Sequence, residues 1–391
     1  MKKLKLGLLP KIIIAIALGV ALGGVLPAWC SRIFMTFNAL FSQLLGFAVP
    51  LIIVGLVTPA IADVGRGARR MLIVTTLLAY GATIAAGLIS YFTGVLTFPS
   101  MIDAKLALDG AAAAEKLVPY FSVEIPPLMG VMTALVTSFV FGLGIAYLKG
   151  DVLRRGAEEM RDVVTMMISS VIIPLLPIYI FGIFLDITAA GEVMQVLEVF
   201  VKIIGVIFVL HIAWLLLLYS VAGGVAKRNP LKMLATMLPA YFTALGTQSS
   251  AATIPVTLEQ SRKMGVSESV SGFVIPLCAT IHLSGSMLKI VACALALMIM
   301  QGIDYNFGLF FGFICMLGIT MVAAPGVPGG AIMAALGVLS SMLGFTPDDQ
   351  ALMISLYVAM DSFGTACNVT GDGALAIIID KTTIAADSEK K

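Results

Sequence analysis

Gly246-Thr247-Gln248-Ser249-Ser250-Ala251-Ala252-Thr253-Ile254-Pro255 interrupts an otherwise apolar stretch, and this interruption decides the fold. Basic residues flank it on both sides: Lys227, Arg228 and Lys232 before it, Arg262 and Lys263 after it. Lys and Arg collect on the cytoplasmic side of a membrane. A segment of only about 30 residues between two basic loops must therefore enter the bilayer and return. A polar, helix-breaking tip suits such a re-entrant hairpin, because non-helical backbone at membrane depth survives only against protein or a water-filled cavity. A second broken stretch, Ala324-Pro325-Gly326-Val327-Pro328-Gly329-Gly330, leads to the acidic pair Asp348 and Asp349 and reads as a hairpin of the opposite orientation.

Outward from these tips the chain is a series of apolar runs at 7–28, 36–60, 71–98, 127–149, 164–190 and 199–225, followed by the broken regions 231–300 and 306–380. Each run approaches the roughly 20 residues that a ~30 Å hydrocarbon core requires. The charges between them alternate in sign. Lys2, Lys3 and Lys5 place the N-terminus in the cytoplasm, and Arg66, Arg69 and Arg70 follow the second run. Arg154, Arg155 and Arg161 mark the loop after the fourth run, and Lys227, Arg228 and Lys232 the loop after the sixth. The other loops carry acids: Asp103, Asp109, Glu115 and Glu124, then Asp186 and Glu192, then Asp304. The last run ends at Lys381, inside. The pattern predicts an all-α integral membrane protein with eight transmembrane helices, two opposite re-entrant hairpins and both termini cytoplasmic.

Composition agrees. Of 391 residues 60% are hydrophobic and 12% charged, against 45–50% and about 25% in soluble domains. The net charge of +2 offers no basic face for nucleic acid. The first apolar stretch exceeds a usual signal-peptide core and further runs follow, so a retained first helix is expected. Cys30, Cys278, Cys293, Cys315 and Cys367 form no CxxC or Cys/His cluster and read as small core residues. There is no HExxH, no GxSxG context and no nucleophile–base pair, so an enzyme is not expected.

Paired interrupted segments are the best sequence pointer to a transporter binding site, since half-helix N-termini attract anions and freed carbonyls attract hard cations. Three motifs give that pointer a family. Gln248-Ser249-Ser250-Ala251-Ala252-Thr253-Ile254-Pro255-Val256-Thr257, Gly326-Val327-Pro328-Gly329-Gly330-Ala331-Ile332-Met333 and Asn368-Val369-Thr370-Gly371-Asp372 occur in this order. Together they resemble the two hairpin tips and the last-helix NVTGD motif of the dicarboxylate/amino acid:cation symporter family, which includes the glutamate transporters. The resemblance covers nearly the whole chain. It implies an inverted-repeat, elevator-type transporter that forms a homotrimer in the plasma (inner) membrane. Residues 1–70 and 99–195 would form the scaffold and trimer contact, and 71–98 and 196–385 the moving transport domain.

Asp361 lies mid-span, where an isolated carboxylate is costly and marks a functional site by default. Asn368, seven residues on, falls about two turns along the same face. The resemblance implies that Asp361 binds the amino group of the substrate and that Asn368 donates to its α-carboxylate. Ser249, Ser250, Val327, Gly364 and Thr365 would complete the substrate site. It further implies a sodium held by Asp372 with backbone carbonyls near Cys278, His282 and Asn368. A further sodium is implied at the Thr280 carbonyl and the backbone from Met321 to Ala324. Sodium would be the coupled substrate, with a proton as the alternative, and no resident cofactor is expected.

The departures from the family pattern are informative. Acidic-substrate members carry an arginine three residues after the aspartate, and here that residue is Gly364; the hairpin position that compensates in some relatives is Gln248. Without a guanidinium to pair with a side-chain carboxylate, a neutral, serine- or threonine-like amino acid is expected. The seventh-span motif Asn-Met-Asp-Gly-Thr is replaced by His282-Leu283-Ser284-Gly285-Ser286, and a third-span threonine aligns with Ala79. A third sodium site is therefore expected to be absent. Lys289 stands where relatives have tyrosine and Tyr357 where they have aspartate, so His282 or Lys289 is a candidate coupling group, supplying a proton or a fixed ammonium in place of the lost cation. His211, beside Trp214, reads as packing. The alternatives are a symporter of dicarboxylates or acidic amino acids, with Lys289 or Gln248 replacing the arginine, and a channel-like anion pathway.

Overall fold

The computed structural model describes residues 7–64, 69–102, 118–191, 193–322, 324 and 329–388. Lys2, Lys3, Lys5, Arg66, Asp103, Asp109, Glu115, Glu192 and residues 325–328, Val327 among them, lie outside the described residues, as do the side chains of Arg69 and Arg70. Among the described residues there are fifteen α-helices, one π-helical turn and no strand.

The chain opens with the short α1 (Leu8–Leu22) and the long α2 (Ala28–Val64) and α3 (Arg69–Met101). They are followed by α4 (Val131–Tyr147), α5 (Val152–Met167), the π turn Ile168–Ile172, α6 (Ile173–Ala189) and α7 (Val193–Ala226). The second half is built of shorter pieces, α8 (Pro230–Thr247), α9 (Ser250–Lys263), α10 (Glu268–Ile281), α11 (Ser284–Met300), α12 (Phe307–Met321), α13 (Gly330–Leu343) and α14 (Pro347–Ala359), and ends on the longer α15 (Asp361–Ser388). Among the described residues, six stretches are long and apolar enough to cross a membrane: Ala28–Ala62, Met71–Met101, Val152–Ala189, Val193–Ala226, Glu268–Met300 and Asp361–Thr382. Large apolar side chains such as Leu77, Leu96, Val140, Val201 and Phe242 face outward. Water would penalise such a surface, whereas lipid tails solvate it.

The basic cluster after the fourth run differs from the expected loop. Arg154, Arg155 and Arg161 lie on α5, which continues through the π turn into α6. Ion pairs spaced four residues apart, Arg154–Glu158 at 3.0 Å and Arg155–Asp151 at 3.3 Å, support this polar helix from its solvated side. The π turn ends just before Pro174, whose ring cannot donate to the helical ladder.

The breaks in the second half have local causes. Asn229 caps α8 by accepting from the Lys232 amide at 3.1 Å, and Ser249 caps α9 from Ala252 at 3.2 Å. Between those helices Gln248 adopts a left-handed backbone, φ +53°, which ends α8 in the manner of a C-terminal αL residue. α8 and α9 then pack against each other, as do α12 and α13 across the second break. α10 stops at His282-Leu283 and restarts as α11, every residue of which is buried. One apolar cluster joins α1, α2 and α6 to α11, α12, α13 and α14. A second gathers α3, α7, α8, α9, α10 and α15. The cysteines carry free thiols, with Cys278, Cys293 and Cys367 buried.

Candidate functional site

α15 begins at Asp361 and runs beside α11, and their approach is close because two glycines face across it. A Cβ on Gly285 would lie 2.6 Å from the Gly364 carbonyl oxygen and 2.7 Å from the Cys367 Cβ. The helices are stitched by Asn368, whose Oδ1 accepts the Gly285 amide at 2.8 Å and the Ser286 amide at 3.3 Å. Its Nδ2 donates to Ser286 Oγ at 3.2 Å. Asn368 thus satisfies donors of the first turn of α11, which have no partner within the helix.

An open pocket of about 360 Å³, mouth included, forms where this pair meets the ends of the broken segments. Gln248 and Ser250 come from the first break, Ala324 and Ala331 from either side of the second, Ala279, Thr280 and Leu283 from the α10 break, and Tyr357, Asp361, Thr365 and Asn368 from the last two helices. Asp361 is the sole carboxylate among these lining residues. Ser250, Asp361, Thr365 and Asn368 are all buried. The first turn of α9 presents helix N-terminal amides, the kind of group that holds a carboxylate.

Both oxygens of Asp361 are engaged. Its Oδ1 lies 3.3 Å from Lys289 Nζ, and its Oδ2 accepts the Gly329 amide at 2.8 Å. Lys289 is wholly buried on α11. Its ammonium also donates to the Met360 carbonyl at 3.4 Å and sits 3.6 Å from the centroid of the Tyr357 ring, a cation–π contact. Tyr357 in turn meets Ser286 Oγ at 3.0 Å. Gly364 makes this possible: a Cβ there would overlap the Lys289 side chain, with Nζ only 2.5 Å away.

A second pair lies deeper. His282 Nδ1–H donates to Asp372 Oδ1 at 2.8 Å, with both side chains buried. Asp372 Oδ2 and His282 Nε2 have no hydrogen-bond partner among the described residues, nor does Ser284 Oγ. The Cys278 carbonyl accepts the His282 amide at 2.8 Å. Thr280 is exposed at the pocket wall, and Met321 is buried near the second break. His211 donates from Nε2 to the Gly285 carbonyl at 3.0 Å beside buried Trp214, a packing role.

Of the substrate candidates, Ser250, Asp361, Thr365 and Asn368 line one pocket, Ser249 caps the helix beside it, and Gly364 packs behind it against Lys289. Val327 is outside the described residues. Sequence reasoning missed three contacts: the Gln248 Nε2 donation to Ser362 Oγ at 2.8 Å, the Gly329 amide on Asp361, and the ring-nitrogen approach of His282 to Asp372. All three join residues more than thirty positions apart, which spacing on a helix cannot reveal. The Gly364, Lys289 and Tyr357 departures were the visible trace of the rebuilt Asp361 pair.

The helices and the pocket define an integral membrane protein whose broken segments surround a small polar site, the architecture of a solute transporter. The sequence pattern of the sodium:dicarboxylate symporter family matches residues 8–382. The chain belongs to that family, one of transporters. It is 26% identical to the serine/threonine transporter SstT of Acinetobacter baylyi over 97% of this chain and 98% of that protein. It is 29% identical to excitatory amino acid transporter 1 of Rattus norvegicus and 30% to that of Ambystoma tigrinum, in each case over 63% of this chain but only 46% of the relative.

Proposed function

We propose that the chain is a cation-coupled secondary symporter of a small amino acid, neutral and serine- or threonine-like, working by an elevator motion. The observation that carries this is the convergence of the broken segments on one pocket with one carboxylate. In this reading the α-carboxylate is held by the amides of the first turn of α9, with Ser249 and Ser250, and by the Asn368 amide. The ammonium goes to Asp361, and Thr365, Gly364 and Val327 are the remaining candidates for the side-chain end of the site. Gly364 and Gln248 supply no guanidinium for a second carboxylate, and the similar transporter from Acinetobacter baylyi is named for serine and threonine.

Sodium is the coupled substrate. Asp372 Oδ2, which lacks a protein partner among the described residues, is the hard oxygen for it, with carbonyls near Cys278, His282 and Asn368. The Thr280 carbonyl and the Met321–Ala324 backbone would hold a second ion. Ser284 in place of a carboxylate removes a third. The pairs α8/α9 and α12/α13 act as the two re-entrant hairpins among eight crossings. Residues 1–70 and 99–195 form the scaffold of a homotrimer, and 71–98 and 196–385 the moving domain, in the inner membrane with both termini cytoplasmic.

The test is labelled serine uptake into proteoliposomes under an inward sodium gradient, with aspartate and succinate as competitors. Sodium-dependent uptake that resists both acids is expected. One observation favours a second reading: the Lys289 ammonium stands in the space opened by Gly364, from which it could meet the second carboxylate of a dicarboxylate or acidic amino acid. Block by either acid would select that reading.

A further inference from the structure

We propose that Lys289 is a tethered stand-in for the substrate's own ammonium, neutralising Asp361 while the empty carrier crosses the membrane. This rests on the amino acid reading above. Asp361 is buried, and a bare carboxylate in a closed membrane domain is among the costliest groups to move through hydrocarbon. In the loaded carrier an amino acid brings an ammonium to it. In the empty carrier nothing does, unless the protein supplies a cation, and Lys289 Nζ is 3.3 Å from Asp361 Oδ1.

The surroundings of Lys289 suit exchange. Besides Asp361 it has the Met360 carbonyl at 3.4 Å and the Tyr357 ring at 3.6 Å. It can therefore yield a carboxylate oxygen to an arriving ammonium without losing every partner. The count of charges also closes. At the Asp361 site the empty carrier holds one ammonium, that of Lys289, and one carboxylate. A zwitterionic amino acid adds one of each, so this site is neutral on both legs, while Asp372, beside His282, is counted with the coupled cations. A substrate with a second carboxylate would leave the Asp361 site one negative charge out of balance. The lysine thereby also favours net-neutral substrates.

Gly364 is the enabling change. With any Cβ at that position the lysine end would be displaced from its place against Asp361. The glycine read from sequence as the mere loss of an arginine is, in space, the seat of a relocated cation.

The experiment separates net uptake from exchange in proteoliposomes of the full chain. Net uptake requires the empty carrier to return, whereas exchange of labelled external for unlabelled internal serine does not. Lys289→Met should raise the ratio of exchange to net uptake by about 100-fold, because removing one partner of a buried pair leaves the other charge uncompensated. Lys289→Arg should restore the ratio to within about tenfold of the parent, since a guanidinium keeps the charge. Gly364→Ala keeps the lysine but pushes its end aside, and should raise the ratio in the same direction; it serves if Lys289→Met does not reach the membrane. A parallel fall of exchange and net uptake in Lys289→Met and Gly364→Ala, or an unchanged ratio, overturns the proposal and leaves Lys289 as packing. Absence of serine movement in either mode by the parent protein overturns the amino acid reading itself, and the proposal falls with it.

Discussion

Asp361 and Asp372 lie eleven residues apart on α15, and each meets a nitrogen from the α10–α11 region. Their surroundings differ in completeness. Asp361 borders the pocket and has both oxygens engaged, one by Lys289 and one by the Gly329 amide. Asp372 is more deeply buried and has one oxygen on His282 and one with no partner among the described residues. A buried polar atom without a partner is costly, and Asp372 Oδ2 has room to accept one. In the proposed reading the two acids have different duties. Asp361 would be an exchange site, where the Lys289 ammonium yields an oxygen to a ligand, and Asp372 an addition site, where a cation joins a pair that is already half made.

The strongest way to break this comparison is to neutralise each acid in turn. Asp361→Asn leaves the Lys289 ammonium buried without its carboxylate, a loss of about 3–5 kcal/mol for such pairs. Serine uptake should fall by at least about 100-fold and the thermal midpoint should drop as well. Asp372→Asn should act differently. Its loss falls on the cation, with the half-saturating sodium concentration rising by roughly 100-fold for about 3 kcal/mol of lost attraction, while uptake at saturating sodium recovers much of the parent rate. If both substitutions raise the sodium requirement equally, the division between exchange and addition sites is wrong.

Both acids were named from the sequence, and the residues explain why their contacts were only partly visible there. The breaks at Gln248 and before Gly329 were legible because glycine, proline and serine interrupt apolar runs, and the helices end where those residues fall. Asp361 and Asn368 were legible as polar residues on one face of an apolar helix. The loop carrying Arg154 and Arg155 was misread because a charged stretch between apolar runs looks the same whether it is loop or solvated helix; the ion pairs spaced four residues apart settle it as helix. The Lys289–Asp361 pair spans 72 residues, and no local periodicity reports on such a contact. Only the coincidence of three unusual residues, Gly364, Lys289 and Tyr357, hinted at it. The hydrogen bond from the Gly329 amide to Asp361 left no side-chain signature at all.

Asn368 sharpens the comparison because it lies between the two acids in the chain. Asn368→Ala would strip the Gly285 and Ser286 amides of their acceptor, costing about 1–3 kcal/mol. Because this turn of α11 leads from Ser284 to Lys289, the substitution should weaken substrate binding by roughly 10- to 100-fold by the same energy. Equilibrium binding of labelled serine at fixed saturating sodium measures it. A shift in sodium affinity without a shift in serine affinity would move Asn368 to the side of Asp372.

The smallest expected effect tests which part of Tyr357 serves the exchange site. Its ring face lies against Lys289 and its hydroxyl against Ser286. Tyr357→Phe keeps the ring and removes the hydroxyl bond at a cost of about 0.5–1.5 kcal/mol, so net uptake should fall by less than about tenfold. Tyr357→Leu removes the ring as well and should cost the additional 0.5–2 kcal/mol or so of a buried cation–π contact. If Phe and Leu are equally impaired, the hydroxyl and its bond to Ser286 hold the turn, and the ammonium depends on Asp361 and the Met360 carbonyl alone. If only Leu is impaired, the ring is the surface that carries Lys289 when a substrate's ammonium takes its place at Asp361.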